Sequence, residues 1–144
     1  MTFRTLARLF AVLALAVAVD FGDASAQSVP QRNRVVIQVS DADAVKWNLA
    51  LNNARNLQTD LGAANVQIEI VAYGPGIGML KIESPVANRI AEARDAGVRI
   101  LACENTMNGQ KLVRDDMLPG IAYVPAGVVE IMQRQQDGWA YLRP

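Results

Sequence analysis

"RVVIQVSDADAVKWNLALNNARNLQTDLGAANVQIEIVAYG", Arg34 to Gly74, is the stretch that decides the fold. Its opening "RVVIQVS" (Arg34–Ser40) is a near-continuous apolar run rich in valine and isoleucine. That pattern suits a strand buried on both faces. Ser40, Asp41 and Asp43 then supply helix-capping side chains. Trp47, Ala50, Leu51, Ala54, Leu57 and Leu61 recur at helical spacing, and Gly62 is the expected stop. "VQIEIVAY" (Val66–Tyr73) reads as a second strand. Strand, helix and strand in this order form one βαβ unit.

The same alternation continues outward. After the segment "GPGIGMLKIES", Ser84 is the expected cap of a helix with Pro85 in its first turn, ending at Gly97. "VRILAC" is strand three, and a short helix is expected in "ENTMNGQKLVRDDMLPG", capped by Asn105 or Thr106. "IAYVP" is strand four, "AGVVEIMQRQQ" a helix, and "WAYLR" a last strand. The reading is an α/β fold: a three-layer α/β/α sandwich around a mainly parallel sheet of about five strands, doubly wound in a flavodoxin-like layout. In such sheets ligand sites lie beyond the carboxyl ends of the strands. Here those ends are "SDAD", "YGPGIGML", "CENT" and "VPAG".

Ahead of this domain, residues 1–26 have the form of a secretory signal. Arg4 and Arg8 precede the apolar run Leu9 to Val19, and "ASA" at Ala24 to Ala26 offers a cleavage site. The run is shorter than the ~20 residues a spanning helix needs. The expectation is therefore a periplasmic protein without a stable membrane anchor after processing, with residues 27–144 as a single domain.

Composition narrows the chemistry. Lys+Arg and Asp+Glu both number 14, which gives no electrostatic footprint for nucleic acid. The histidine count is 0, so imidazole bases, Ser-His-Asp triads and His-ligated zinc are excluded. With 1 cysteine there is no internal disulfide and no CxxC pair. An unpaired cysteine in an exported chain suggests a reactive or intermolecular thiol.

Cys103 closes a buried strand just before a helix, where free N–H groups and the dipole would favour a thiolate. Asn105 and Thr106 are the residues expected to support it, the latter through its hydroxyl. Lowering a thiol from ~8.5 to about 6.5 requires about 2.7 kcal/mol. A dipole supplies about 0.3–1 kcal/mol and a hydrogen bond to a charged group roughly 1.5–3. Glu104 opposes the thiolate, and Lys81 or Lys111 could offset it. Against this stands an ordinary alternative: free cysteine is often an inert, buried small hydrophobe.

Other rim candidates are weaker. Gly74, Gly76 and Gly78 have GxGxG spacing and lie several residues from the next helix, so a pyrophosphate cradle fails on geometry. Met79 and Lys81 in this segment point to an oligomer contact or a flap beside Cys103, since the apolar run Ile77–Ile82 has no obvious home in a monomer. Asp41 and Asp43 supply two oxygen ligands where a hard cation needs about six, so helix capping is the better account and no metal is expected. No cofactor is expected either, a flavin or nucleotide role resting on fold analogy alone.

With these residues placed, the chain resembles the DsrE/DsrF-like family of sulfur-relay proteins with the YchN-like fold. The resemblance spans nearly all of the chain after the leader. It rests on "KWNLALNNARNL", "VAYGPGIGML", "GVRILACENTM", "LPGIAYVPAGVVEI" and "RQQDGWAYLRP". It implies a compact α/β subunit that assembles into homotrimers or homohexamers. It also implies that Cys103 accepts sulfane sulfur as a persulfide, from a donor protein or small sulfur compound, and passes it on. The chain thus reads as an exported variant of that family. The competing reading is a non-catalytic ligand-binding or assembly module in which Cys103 is structural.

Overall fold

The computed structural model describes residues 33–144; the expected signal segment 1–26 lies outside the described residues. Five strands form one sheet: β1 (Asn33–Val39), β2 (Val66–Ala72), β3 (Arg99–Cys103), β4 (Ala122–Val124) and β5 (Ala140–Leu142). Every pairing is parallel, and the order is β4-β3-β2-β1-β5. Helices α1 (Ala44–Leu61), α2 (Ala87–Asp95), α3 (Glu104–Gly109) and α4 (Gly127–Gln136) connect them.

The period-two alternation of the strands divides the core between two faces. Val35, Ile37, Val39, Ile68, Ile70, Ala72, Ile100 and Ala102 pack with Trp47, Ala50, Leu51 and Ala54 of α1, Ile90 of α2 and Met107 of α3. Val36, Val71 and Leu101 face the other way, onto Ile131 of α4. The three-layer reading therefore holds, with the layers unequal. The connection from β4 to β5 crosses the sheet from one edge to the other, and α4 lies across β1, β2 and β3 on that second face.

Local details refine the expectations. Asp43 caps α1, accepting from the Val45 N–H at 2.8 Å, while Ser40 and Asp41 precede the helix. Leu61 ends the helix exposed and Leu57 is only partly buried, so the apolar stripe of α1 stops before its last turn. Ser84 and Pro85 lie in the turn that leads to α2, which begins at Ala87. Trp139 falls just outside the last strand and packs on the Val36–Ile131 cluster.

The "GPGIGMLKI" segment departs furthest from its reading. Gly74–Leu80 is a 3-10 helix, and Ile77, Met79 and Leu80 are buried in the core of the single chain. These side chains thus have a home within the single chain, and the segment is not an exposed flap. Gly76 explains why it fits. A Cβ there would sit 2.3 Å from the Val39 carbonyl oxygen, so only glycine lets the two backbones meet. Ile82, 57% exposed, is the residue of the apolar run that stays outside.

Candidate thiol site

Cys103 reaches its position because β3 is buried from Ile100 onward and turns directly into α3. It has extended backbone (φ −80°, ψ 114°) and is itself the N-cap of α3. Asn105 and Thr106 are therefore not caps, as the sequence suggested. They are the second and third residues of the helix, where N–H groups lack intrahelical partners and point back toward the cap. The Asn105 side chain faces solvent, and its N–H also donates to the Pro125 carbonyl at 3.0 Å.

Cys103 is 4% exposed. Gly127, the first residue of α4, donates its N–H to Sγ at 3.2 Å. The Thr106 hydroxyl lies close enough to the sulfur to favour its anionic form, and it accepts from the Gly74 N–H at 2.9 Å. A chain of contacts thus runs from the glycine-rich segment through Thr106 to the thiol. Burial acts most strongly on this group and pushes the thiol up. The Thr106 hydroxyl and the N–H groups of Gly127, Thr106 and Asn105 together outweigh it and hold the thiol below its ordinary value.

Glycine at 127 suits a close approach. A Cβ there would stand 3.1 Å from Tyr73 Cβ, 3.2 Å from Val71 Cγ1 and 3.3 Å from Cys103 Cβ. Sequence reading placed "VPAG" on the rim but did not single out this residue. A glycine opening a helix beyond a strand end was the available signal.

Glu104 is paired with Arg114 at 3.1 Å, and that guanidinium lies 4.3 Å from the Tyr123 ring centroid. Arg114, rather than Lys81, is thus the cation that offsets Glu104. Lys81 pairs with Glu83 at 2.7 Å and lies beside Met117 through a backbone bridge.

The remaining rim candidates have structural partners. Asp41 pairs with Lys46 at 3.1 Å and Arg143 at 3.6 Å, and its carbonyl accepts the Trp47 indole N–H at 2.7 Å. Hydrogen bonding to Lys46 holds its carboxyl below the usual value. Gly78 lies against the Trp47 ring, and Met79 is fully buried. Of Gly74, Gly76 and Gly78, Gly74 is the one that bonds to Thr106 beside the thiol. Among the described residues no group of three or more His, Cys, Asp or Glu could hold a metal ion.

A second polar cluster escaped the sequence reading. Glu69, in the middle of β2, is fully buried. Its Oε1 accepts from Arg99 and its Oε2 from Arg134 Nε at 2.8 Å. Burial pushes its carboxyl up, against the pull of both guanidinium groups. The signal was an acidic residue inside the apolar run "VQIEIVA". A groove of about 530 Å³ opens beside it at the amino ends of the strands, away from Cys103, lined by Arg34, Arg99, Arg134 and Trp139. Glu69 occupies two of those cations, and Arg34 donates to the Asp137 carbonyl at 2.8 Å.

Residues 33–144 match the model of the DsrE/DsrF-like family. No curated protein matches the chain. A solved protein of unknown function from Methanobacterium thermoautotrophicum is 39% identical, covering 78% of this chain and 99% of its own, with a TM-score of 0.74. A conserved protein of unknown function from Bacteroides thetaiotaomicron is 15% identical over 81% of this chain and 99% of its own, TM-score 0.66. The YchN protein of E. coli is 14% identical over 78% and 99%, TM-score 0.60. The last two show likeness of fold alone.

Proposed function

The chain belongs to the DsrE/DsrF-like family, and from that premise we propose that it is a sulfur carrier whose Cys103 holds sulfane sulfur as a persulfide. The observation that carries this reading is the Gly127 N–H on the Cys103 sulfur at 3.2 Å, at the start of α3, where the Thr106 hydroxyl and the first-turn N–H groups also favour an anion. Such donors favour an anionic sulfur, and both the attacking thiolate and the resulting persulfide are anionic.

The step balances without a cofactor. The Cys103 thiolate attacks the sulfane sulfur of a donor persulfide or of thiosulfate. A new S–S bond forms on Cys103 as the donor's S–S bond breaks, and the donor leaves as thiolate or sulfite. An acceptor thiol reverses this and takes the outer sulfur. No histidine base is needed when the thiol is already partly ionised.

The reading extends to the setting. The carrier is exported, its leader removed after Ala26, and it works as a homotrimer or homohexamer. With Met79 and Leu80 buried, the surface proposed for self-association is the group of exposed apolar side chains on α4 and β5: Val128, Val129, Met132, Tyr141 and Leu142. The test is intact-mass measurement after incubation with polysulfide or thiosulfate. Wild type should gain sulfur that Cys103→Ser does not, and no gain in either rejects the proposal.

A second reading keeps one observation in its favour, the near-complete burial of Cys103. Under it the protein is a binding or assembly module and Cys103 is packing. A thiol that stays unlabelled until the protein unfolds selects this reading.

A further inference from the structure

We propose that Glu69 is a positioning residue for the Cys103 thiolate: it fixes α4 at the register that brings the Gly127 N–H onto the sulfur. Glu69 and Val71 of β2 and Tyr73, extended just after it, follow one another on the α4-facing side, because side chains of extended backbone alternate between faces. Val71 and Tyr73 lie against Gly127 at the start of α4. Glu69 meets Arg134 near the end of that helix. Gly127 and Arg134 are seven residues apart, two helical turns on one stripe, and span about 10 Å of rise. The sheet therefore holds the helix at both ends.

The hold at the Arg134 end is ionic. Ile131 is the only large side chain of α4 that is buried, while Val128, Val129 and Met132 are exposed. Apolar packing thus resists a small slide of the helix only weakly. Arg134 resists it through directed bonds: Nε to Glu69 at 2.8 Å and Nη2 to Glu130 at 2.8 Å, with the guanidinium 4.9 Å from the Trp139 ring centroid. Arg99 takes the other oxygen of Glu69 and fixes its carboxylate plane from β3.

An ion pair of this kind adds little net stability, because the Glu69 carboxylate must leave water completely and the Arg134 guanidinium in large part. An apolar residue at position 69 would pack without that cost, and a register role accounts for a carboxylate there instead. The consequence falls at the other end of α4. A hydrogen bond to sulfur at 3.2 Å weakens steeply with displacement and misalignment, so a small shift of the helix removes one of the donors that stabilise the thiolate. Glu69 acts through α4 and does not touch the sulfur.

This inference rests on Cys103 being a working thiol, but its test uses no sulfur compound. The thiol pKa is measured from thiolate absorbance against pH in folded wild type, Glu69→Gln, Arg134→Lys and, as a control, Ile90→Val. The control loosens the opposite face of the sheet. The expected result is a rise of about one unit in Glu69→Gln and Arg134→Lys, which is about tenfold less thiolate below the pKa, with Ile90→Val unchanged. If Glu69→Gln does not fold, Arg134→Lys, which keeps the charge but not the Nε geometry, decides alone. An unchanged thiol pKa in the folded variants, or an equal rise in Ile90→Val, overturns the proposal. A rise in pKa together with a failure of wild type to take up sulfur would leave this inference standing and sink the carrier reading.

Discussion

The backbone N–H of Gly127 points at the sulfur of Cys103 from 3.2 Å, joining the first residue of α4 to the last residue of β3. The two residues are 24 positions apart in the chain. Their meeting makes the start of one helix serve the cap of another, and it makes the thiol sensitive to how α4 lies on the sheet.

Replacing Gly127 by alanine tests that closeness. The new Cβ would press on Tyr73, Val71 and Cys103 at 3.1–3.3 Å. Overpacking of this kind costs about 1–3 kcal/mol. Urea unfolding should show the loss, and the thiol pKa should rise because the helix lifts from the sulfur. A variant as stable as wild type with an unshifted thiol would contradict the account.

Thr106 carries the second prediction. Its hydroxyl serves the sulfur and accepts from the Gly74 N–H. Thr106→Val removes a hydrogen bond to a charged group, worth roughly 1.5–3 kcal/mol, so the thiol pKa should rise by about one to two units. Thr106→Ser should keep most of the effect. The pH dependence of alkylation by iodoacetamide reads both, and equal behaviour of the valine and serine variants would rule out the hydroxyl.

Stability should follow the thiol with a definite sign. Cys103 is held below its ordinary value in the folded protein, by the Thr106 hydroxyl and the surrounding N–H groups acting against burial. Between the folded value and the unfolded one, near ~8.5, the unfolded chain binds more protons, so stability rises with pH. The contribution is complete above the unfolded value and is lost as pH falls through the folded one. Relative to Cys103→Ser, wild type should therefore gain urea resistance as pH rises through this window. A difference that stays flat or shrinks would show that the folded thiol is not favoured as thiolate.

Met79 separates core from contact. It is fully buried in the single chain, so Met79→Ala should cost about 2–5 kcal/mol and leave the oligomeric state unchanged. Met132→Lys, on the exposed face of α4, should do the reverse: little loss of stability, but dissociation in light scattering. Dissociation by Met79→Ala without destabilisation would return the glycine-rich segment to an interface role.

Much of the fold was legible along the chain. "RVVIQVS" and "VRILAC" are buried strands because every βαβ crossover covers one of their faces, and such strands need no polar side. Trp47, Ala50, Leu51 and Ala54 of α1 lie in the core as their spacing implied. The site was legible only in part. Cys103 stands out as the sole thiol on the rim, but its helix starts two or three residues earlier than the Asn105 or Thr106 cap implied, because Cys103 takes the cap itself. Met79 and Leu80 seemed homeless because their burial depends on Gly76 letting its segment touch the Val39 backbone, a contact across 37 residues that no local pattern records.

The sequence by itself determined the class of fold, the family and the identity of the one thiol, since periodicity, turn residues and composition are local properties of the chain. It also closed off histidine chemistry by composition alone. Only the tertiary structure decided what surrounds that thiol. Gly127, Thr106 and Gly74 come from three separate segments, and Glu69 meets Arg134 across 65 positions. The crossing of α4 from one edge of the sheet to the other brings these groups together. That crossing follows from strand order, which parallel packing fixes in three dimensions and the one-dimensional pattern does not encode.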